Sequence, residues 1–200
     1  TARPDMSGGD INMFELFGES EDELSLFPAH LTKLVLMAEQ LSPTNDSNVS
    51  IIRGSLEGIL TKFYVYMNMW ADNAKDNRAR LRLVGLPHDQ VPTLNVFTTF
   101  LDQEYVDQTN RTSRDDRYYE AISVLRLMYK NLLSNNTDLF NTTTSSSIDG
   151  VRQARRVIYD FSSLMRRGEG VAMAQLVNSV GFAVESLGEG DTVIIHGPED

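Results

Sequence analysis

Apolar residues recur every three or four positions along most of the chain, the spacing that places them on one face of an α-helix. A first helix is predicted between Pro28 and Pro43, because proline fits a first turn and disfavours helix just before it. A longer second helix follows a polar break and is predicted to be the central core element. Gly54 and Gly58 on it offer room for another helix to approach closely. Its apolar face comprises Ile52, Leu56, Ile59, Leu60, Phe63, Tyr66, Met67 and Trp70.

The pattern changes between residues 71 and 92. Arg78, Arg80 and Arg82 alternate with apolar residues, and a period of two is typical of extended chain. This stretch is therefore predicted to be a short extended segment.

Four further helices are predicted after Pro92. The third opens at this proline, and the fourth follows Ser113 and Asp116, which have capping-box spacing. A polar loop over 135–147 separates them from the last two helices. The fifth is predicted to end at Gly168 and the sixth to run from about 171 to 187. We expect the apolar residues of the fifth helix to face the core: Val151, Ala154, Ile158, Phe161, Leu164 and Met165.

The two ends of the chain differ from the middle. Residues 1–24 are rich in acids and glycine around an apolar island of Met13, Phe14, Leu16 and Phe17. We expect an acidic arm rather than core, whose island either folds back on its own domain or docks on a neighbour. Residues 25–187 form the predicted helical domain and 188–200 an extended tail with a β-type run over 192–196. The fold class is therefore mainly α: a helical bundle of five or six helices with extended N- and C-terminal arms.

Composition narrows the class of protein. Two hundred residues suffice for one domain with its own core, and the absence of cysteine excludes disulfides and thiolate chemistry. No apolar run reaches the length of a membrane span, and the acidic start fits neither a signal nor a transit peptide. We therefore expect a cytoplasmic location and no membrane partner.

Charge is unevenly distributed. The net charge of −10 argues against a protein that coats nucleic acid through excess positive charge, and nine acids against two cations occupy the first 46 residues. The 14 arginines outnumber the 4 lysines, and arginine suits bidentate contacts with phosphate or carboxylate. Pairing with nearby acids on a solvated surface is the simpler alternative. The arginines concentrate in three clusters: Arg78, Arg80 and Arg82; Arg111, Arg114 and Arg117; Arg152, Arg155 and Arg156.

Catalytic and metal-binding patterns are not found. His30, His88 and His196 lack a second ligand at metal-site spacing, and neither a phosphate loop nor a nucleophile elbow occurs. Asp115 and Asp116 fit a first helical turn, where the helix dipole favours acids. We therefore expect a binding or assembly protein without catalytic residues, metal or cofactor.

The arginine clusters are the strongest functional signal. Arg111 precedes the fourth helix and Arg114 and Arg117 lie near its start, so the three can converge with backbone N–H groups on an anion. The third cluster is predicted on the outward face of the fifth helix. Few aromatic residues lie among these arginines in the sequence, so any nucleic-acid binding is expected to be mainly backbone contact.

The segments Asp107–Arg111, Ser113–Asp116 and Ala121–Ser123, in a helical chain with an acidic arm, resemble the coat proteins of rod-shaped plant viruses. The runs Ala154–Arg156 and Tyr159–Phe161 are similar instead to those of flexuous filamentous viruses. Either resemblance implies a helical subunit that self-assembles into a filament around single-stranded RNA.

The leading expectation is thus a viral coat protein or nucleoprotein, located in the virion and host cytoplasm, whose partners are its own copies and single-stranded RNA. A cytosolic helical adaptor that binds a protein through the acidic arm or a helix groove is the alternative. That the protein is an enzyme is the third hypothesis.

Overall fold

The computed structural model describes residues 9–19, 22–42, 46–151, 154, 156–161, 163–187, 190–192 and 194. These residues are mainly helical and contain no β-strand, which confirms the predicted fold class. Five helices are long and two are short. In chain order they are α1 Glu23–Leu41, α2 Asp46–Tyr66, α3 Leu94–Thr109, α4 Asp116–Asn135, α5 Thr137–Phe140, α6 Ser147–Val151 and α7 Glu169–Glu185. None of the helices described is both long and apolar enough to cross a membrane.

Helix α2 lies in the middle of the bundle, as predicted, but its apolar face is shorter than predicted: Tyr66 is 64% exposed, and Met67 and Trp70 lie beyond the end of the helix. It packs against α1 on one side and α4 on the other, while α7 packs on α1 and α3 on α4. Ile52, Leu56 and Phe63 are fully buried along it. Helix α1 begins at Glu23, five residues before Pro28, so the proline lies in the second turn rather than the first.

The N-terminal segment 9–19 belongs to the core, which makes the interpretation as an arm wrong for these residues. Met13, Phe14 and Leu16 are at most 2% exposed. The Phe14 ring packs against Phe63 of α2 at 5.7 Å and Phe97 of α3 at 5.3 Å between ring centroids. Of the two alternatives for the apolar island, folding back on its own domain is the one observed.

Hydrogen bonds to distant residues hold this irregular segment inside the bundle. The Asn12 side chain donates to the carbonyl oxygen of Pro92 (3.0 Å), and the Tyr64 hydroxyl donates to that of Phe14 (2.8 Å). From α7, the Asn178 side chain donates to the carbonyl oxygen of Ile11 (3.1 Å). A buried segment without secondary structure needs such partners because its peptide groups have lost water.

Two predicted elements are absent where they were expected. Residues 78–80 form a turn of 3-10 helix instead of an extended segment. The predicted fifth helix is replaced by α6, an irregular stretch over 154 and 156–161, and a 3-10 turn at Leu164–Arg167. Val157, Tyr159 and Phe161 pack against the core, so alternate residues face inward and the chain there does not follow helical spacing. Of the predicted β-type run, Thr192 and Ile194 lie in no strand, and the rest is outside the described residues.

Close helix approach occurs at α7 rather than at α2. A Cβ atom added to Gly170 would overlap the carbonyl oxygen of Gln40, and one added to Gly181 would lie 2.6 Å from Cδ of Lys33. Gly54 and Gly58 have no neighbouring atom in that direction, so the expectation that they admit a second helix is wrong. Glycine on α7 therefore lets this helix pack closely on α1.

A layer of buried polar side chains lies beside this contact. His30 forms a 2.7 Å hydrogen bond with Tyr64, and burial, with the nearby charge of Lys33, lowers the pKa of His30. Burial also lowers the pKa of the Lys33 amine and raises that of the Glu185 carboxyl, while the attraction between the two charges opposes both shifts. The layer holds ionisable groups in the interior, where each depends on its neighbours for compensation.

Candidate nucleic-acid interface

The end of α2 shapes a groove in the following loop. The carbonyl oxygen of Tyr64 accepts hydrogen bonds from the N–H groups of Met69 (2.9 Å) and Trp70 (3.2 Å). Asn68, immediately before Met69, has φ of 56°, a left-handed conformation that asparagine tolerates better than most residues. The chain therefore turns sharply and presents Trp70 beside the end of the helix.

Two further contacts fix the return of this loop. The N–H of Arg82 donates to the carbonyl oxygen of Met69 at 3.0 Å, which brings the arginine segment back against the end of α2. The buried carboxylate of Glu23 accepts the N–H groups of Leu83 (3.1 Å) and Val84 (3.2 Å). These hydrogen bonds anchor loop 67–90 to α1 and α2, although the loop contains little regular structure.

The loop encloses an open groove of about 750 Å³, within the usual range of ligand sites. Arg80 and Arg82 line it together with Trp70, and Asn68 and Gln90 supply amide groups. Asp72 is the acidic residue of the lining. The remaining lining residues are Val65, Met67, Met69, Ala71, Ala79 and Leu86.

The arginines of this loop lack the acidic partners that Arg53, Arg126 and Arg167 have. Arg78, Arg80 and Arg82 are exposed, and none forms an ion pair with a carboxylate in the described part of the chain. By contrast, Arg53 pairs with Glu39 at 2.6 Å, and Arg167 with Asp138. The surface-pairing alternative therefore fails for the first cluster within the described residues.

The second predicted cluster has a different environment from the one expected. The Asp115 side chain caps α4 by accepting the N–H groups of Arg117 (3.1 Å) and Tyr118 (3.2 Å), so Ser113 is not the cap. Arg114 pairs with Asp116 at 2.9 Å. Two of the N–H donors expected to bind an anion are therefore already used by a carboxylate, although Arg111, Arg114 and Arg117 are all exposed.

A stack of aromatic and arginine side chains next to this cluster was missed from the sequence. The rings of Tyr105 on α3 and Tyr119 on α4 are stacked at 5.2 Å, and their hydroxyl groups are 3.0 Å apart. Arg114 lies over Tyr119 at 4.1 Å and Arg126 over Tyr105 at 4.7 Å. Only the pairing of α3 with α4 brings these residues together, since the two tyrosines are 14 positions apart.

Of the third arginine cluster, the described residues include one member. Arg152 and Arg155 lie outside the described residues, and Arg156 is exposed on irregular chain. The outward helical face on which these three were predicted is therefore not formed at Arg156.

Two of the three histidines have defined roles in packing. His30 lies in the core, and His88 joins separate segments: its Nδ1 is 2.7 Å from Glu15 and its Nε2 3.3 Å from Asp149. Partial burial lowers the pKa of His88, but its hydrogen bonds and attraction to the two carboxylates outweigh this, so the net pKa is raised. His196 lies outside the described residues.

The fold and this groove define a helical protein with a cationic loop groove on an acidic chain. Comparison with known protein families, with curated proteins and with solved structures gives no match to this chain.

Proposed function

We propose that the chain is a binding protein that holds single-stranded RNA in the loop groove, as a structural nucleoprotein or coat subunit. The observation that supports this is the presence of Arg80 and Arg82 beside Trp70 without acidic partners among the described residues, in a protein of net charge −10. Like charges held close together repel, so such a pair gains most when an anion lies between them.

The chemistry of the groove suits a nucleotide chain better than an isolated anion. Guanidinium groups bind phosphate through paired hydrogen bonds, and an indole ring can stack on any base. The amides of Asn68 and Gln90 can donate and accept hydrogen bonds at base edges. Asp72 repels phosphate, which favours a path for the backbone along the Arg80 and Arg82 side.

Direct titration tests the proposal. Trp70 is the single tryptophan, so a base that stacks on it should quench the intrinsic fluorescence. Replacing Arg80 and Arg82 together by glutamine should weaken binding of a fluorescent oligouridylate. It should also flatten the salt dependence by about 1.4 in log–log slope, about 0.7 for each lost phosphate contact.

A variant with Arg111 and Arg117 replaced by glutamine is the matched control, because it removes the same charge from exposed positions outside the groove. Equal loss of affinity in both variants would assign binding to overall charge rather than to the groove. If the control alone loses affinity, the α4 cluster is the interface. If the unmodified protein does not bind the oligonucleotide, the nucleoprotein proposal fails and the adaptor alternative takes its place.

A further inference from the structure

Two tyrosine rings on different helices are in contact, and no other pair of tyrosine rings is among the residues described. Tyr105 on α3 and Tyr119 on α4 are stacked with 5.2 Å between ring centroids and an interplanar angle of 25°. Their hydroxyl groups are 3.0 Å apart, and both side chains are half-buried. The ring carbons beside the two hydroxyl groups therefore lie close together at the surface of the α3–α4 pair.

Arginine side chains hold both rings in place. The guanidinium carbon of Arg114 lies 4.1 Å from the ring centroid of Tyr119, and that of Arg126 lies 4.7 Å from the ring centroid of Tyr105. Arg126 is itself fixed by an ion pair with Asp102. Contacts between a cation and an aromatic face are attractive, so the two phenols remain side by side while the helices are packed.

We propose that Tyr105 and Tyr119 form an oxidative cross-linking site, at which a one-electron oxidant joins α3 to α4 through a dityrosine bond. Each phenol gives up one electron and its hydroxyl proton, which leaves two phenoxyl radicals. A carbon–carbon bond forms between ring carbons ortho to the two oxygens, and the hydrogens on those carbons move to the oxygens, which restores both phenols. The pair loses two electrons and two protons, which a peroxidase uses to reduce one hydrogen peroxide to two waters.

The acidity of the pair supports this chemistry, because a phenolate is oxidised more readily than a phenol. A Tyr119 phenolate accepts a hydrogen bond from Tyr105 and is attracted by Arg114, and these interactions lower the pKa of Tyr119. The same hydrogen bond raises the pKa of Tyr105. We therefore expect Tyr119 to be oxidised first, with Tyr105 as the phenol in contact with it.

Other tyrosines are less suited to coupling within one chain. Tyr64 and Tyr129 are fully buried, and the hydroxyl of Tyr118 donates to the carboxylate of Glu104 at 2.8 Å. Tyr66 is the most exposed tyrosine, at 64%, but its ring packs against a phenylalanine, which has no hydroxyl group. Oxidation of Tyr66 is therefore expected to link two copies of the chain, whereas oxidation of the stack links two helices of one copy.

Oxidation of the full chain at low concentration with peroxidase and hydrogen peroxide tests the site. We expect a monomer that shows dityrosine fluorescence and has lost the mass of two hydrogens. Trypsin cuts after Arg111 and Arg117, so the digest should contain the peptide 83–111 joined to the peptide 118–126. The reaction needs no RNA, so this proposal and the proposed function can fail separately.

Single substitutions separate the stack from general tyrosine oxidation. Tyr119→Phe removes one coupling phenol but keeps the ring, so it should abolish the fluorescent monomer and the joined peptides without changing the circular dichroism spectrum. Tyr105→Phe should do the same. Tyr66→Phe is the matched control, because it removes the most exposed phenol, and it should leave the product intact. The proposal is overturned if Tyr119→Phe still forms the link, or if the unmodified protein yields no dityrosine or only dimers linked through Tyr66.

Discussion

Replacing Phe14 by alanine tests whether the N-terminal segment is part of the core. The Phe14 side chain is fully buried and contacts the rings of Phe63 and Phe97. Truncating a buried phenylalanine costs about 3–5 kcal/mol in lost burial and residual cavity. The loss is a large share of the total stability of a domain, about 5–15 kcal/mol.

Urea unfolding measures this effect. With a slope of about 2 kcal/mol per molar urea, a loss of 4 kcal/mol lowers the midpoint by about 2 M. Trp70 fluorescence reports on the contact between α1 and loop 67–90, because the centroid of its ring lies 4.1 Å from that of Phe27 on α1, and far-ultraviolet circular dichroism reports on the helices. Both signals should give the same midpoint if the segment and bundle unfold together.

A control separates this result from a general effect of truncation. Leu127→Ala removes a side chain that is 60% exposed and should change the free energy of unfolding by less than about 1 kcal/mol. If Phe14→Ala changed stability as little as the control, the segment would contribute no core packing and its placement here would be refuted.

Two further predictions concern pH and helix packing. The raised pKa of His88 means that its protonation favours the folded state; this contribution is complete below the ordinary value of 6.5 and is lost as pH rises through the folded pKa. His88→Gln should therefore cost up to about 1 kcal/mol at pH near 5.5 and less near pH 8.5 in urea unfolding, and an equal cost at both would contradict this. Gly58→Ala should raise the free energy of unfolding by about 0.5–1 kcal/mol, because the site is an exposed helix interior with free space, whereas Gly170→Ala should lower it by overlap with Gln40. The same sign for both glycine variants in that assay would refute the assigned α1–α7 contact.

Hydrophobic periodicity was sufficient to predict the long helices in which one side is apolar and the other polar. On α4, Ile122, Leu125 and Tyr129 are buried as their spacing predicts, because local hydrophobic contrast and helix geometry agree there. The central position of α2 follows in the same way from its long apolar face.

Of the candidate site, the sequence predicted the arginines but not their surroundings. The sequence identified Arg80 and Arg82, but their place beside Trp70 depends on the turn at Asn68 and on the hydrogen bond from Arg82 to Met69. The stacked tyrosines of α3 and α4 likewise depend on how the two helices pack. Contacts between distant residues leave no periodic signal in one sequence.

By itself, the sequence determined the mainly helical class, the position of most long helices and the uneven distribution of charge, because these depend on neighbouring residues. Tertiary structure decided that Phe14 is core rather than arm, since an apolar residue in an acidic, glycine-rich stretch is buried only if other elements form a space for it. It also decided that α7 buries polar side chains beside apolar ones, since its Asn178 finds a hydrogen-bond partner in Ile11, far away in the chain. Both outcomes depend on contacts between the N-terminal segment and helices far from it in the chain, which local patterns do not encode.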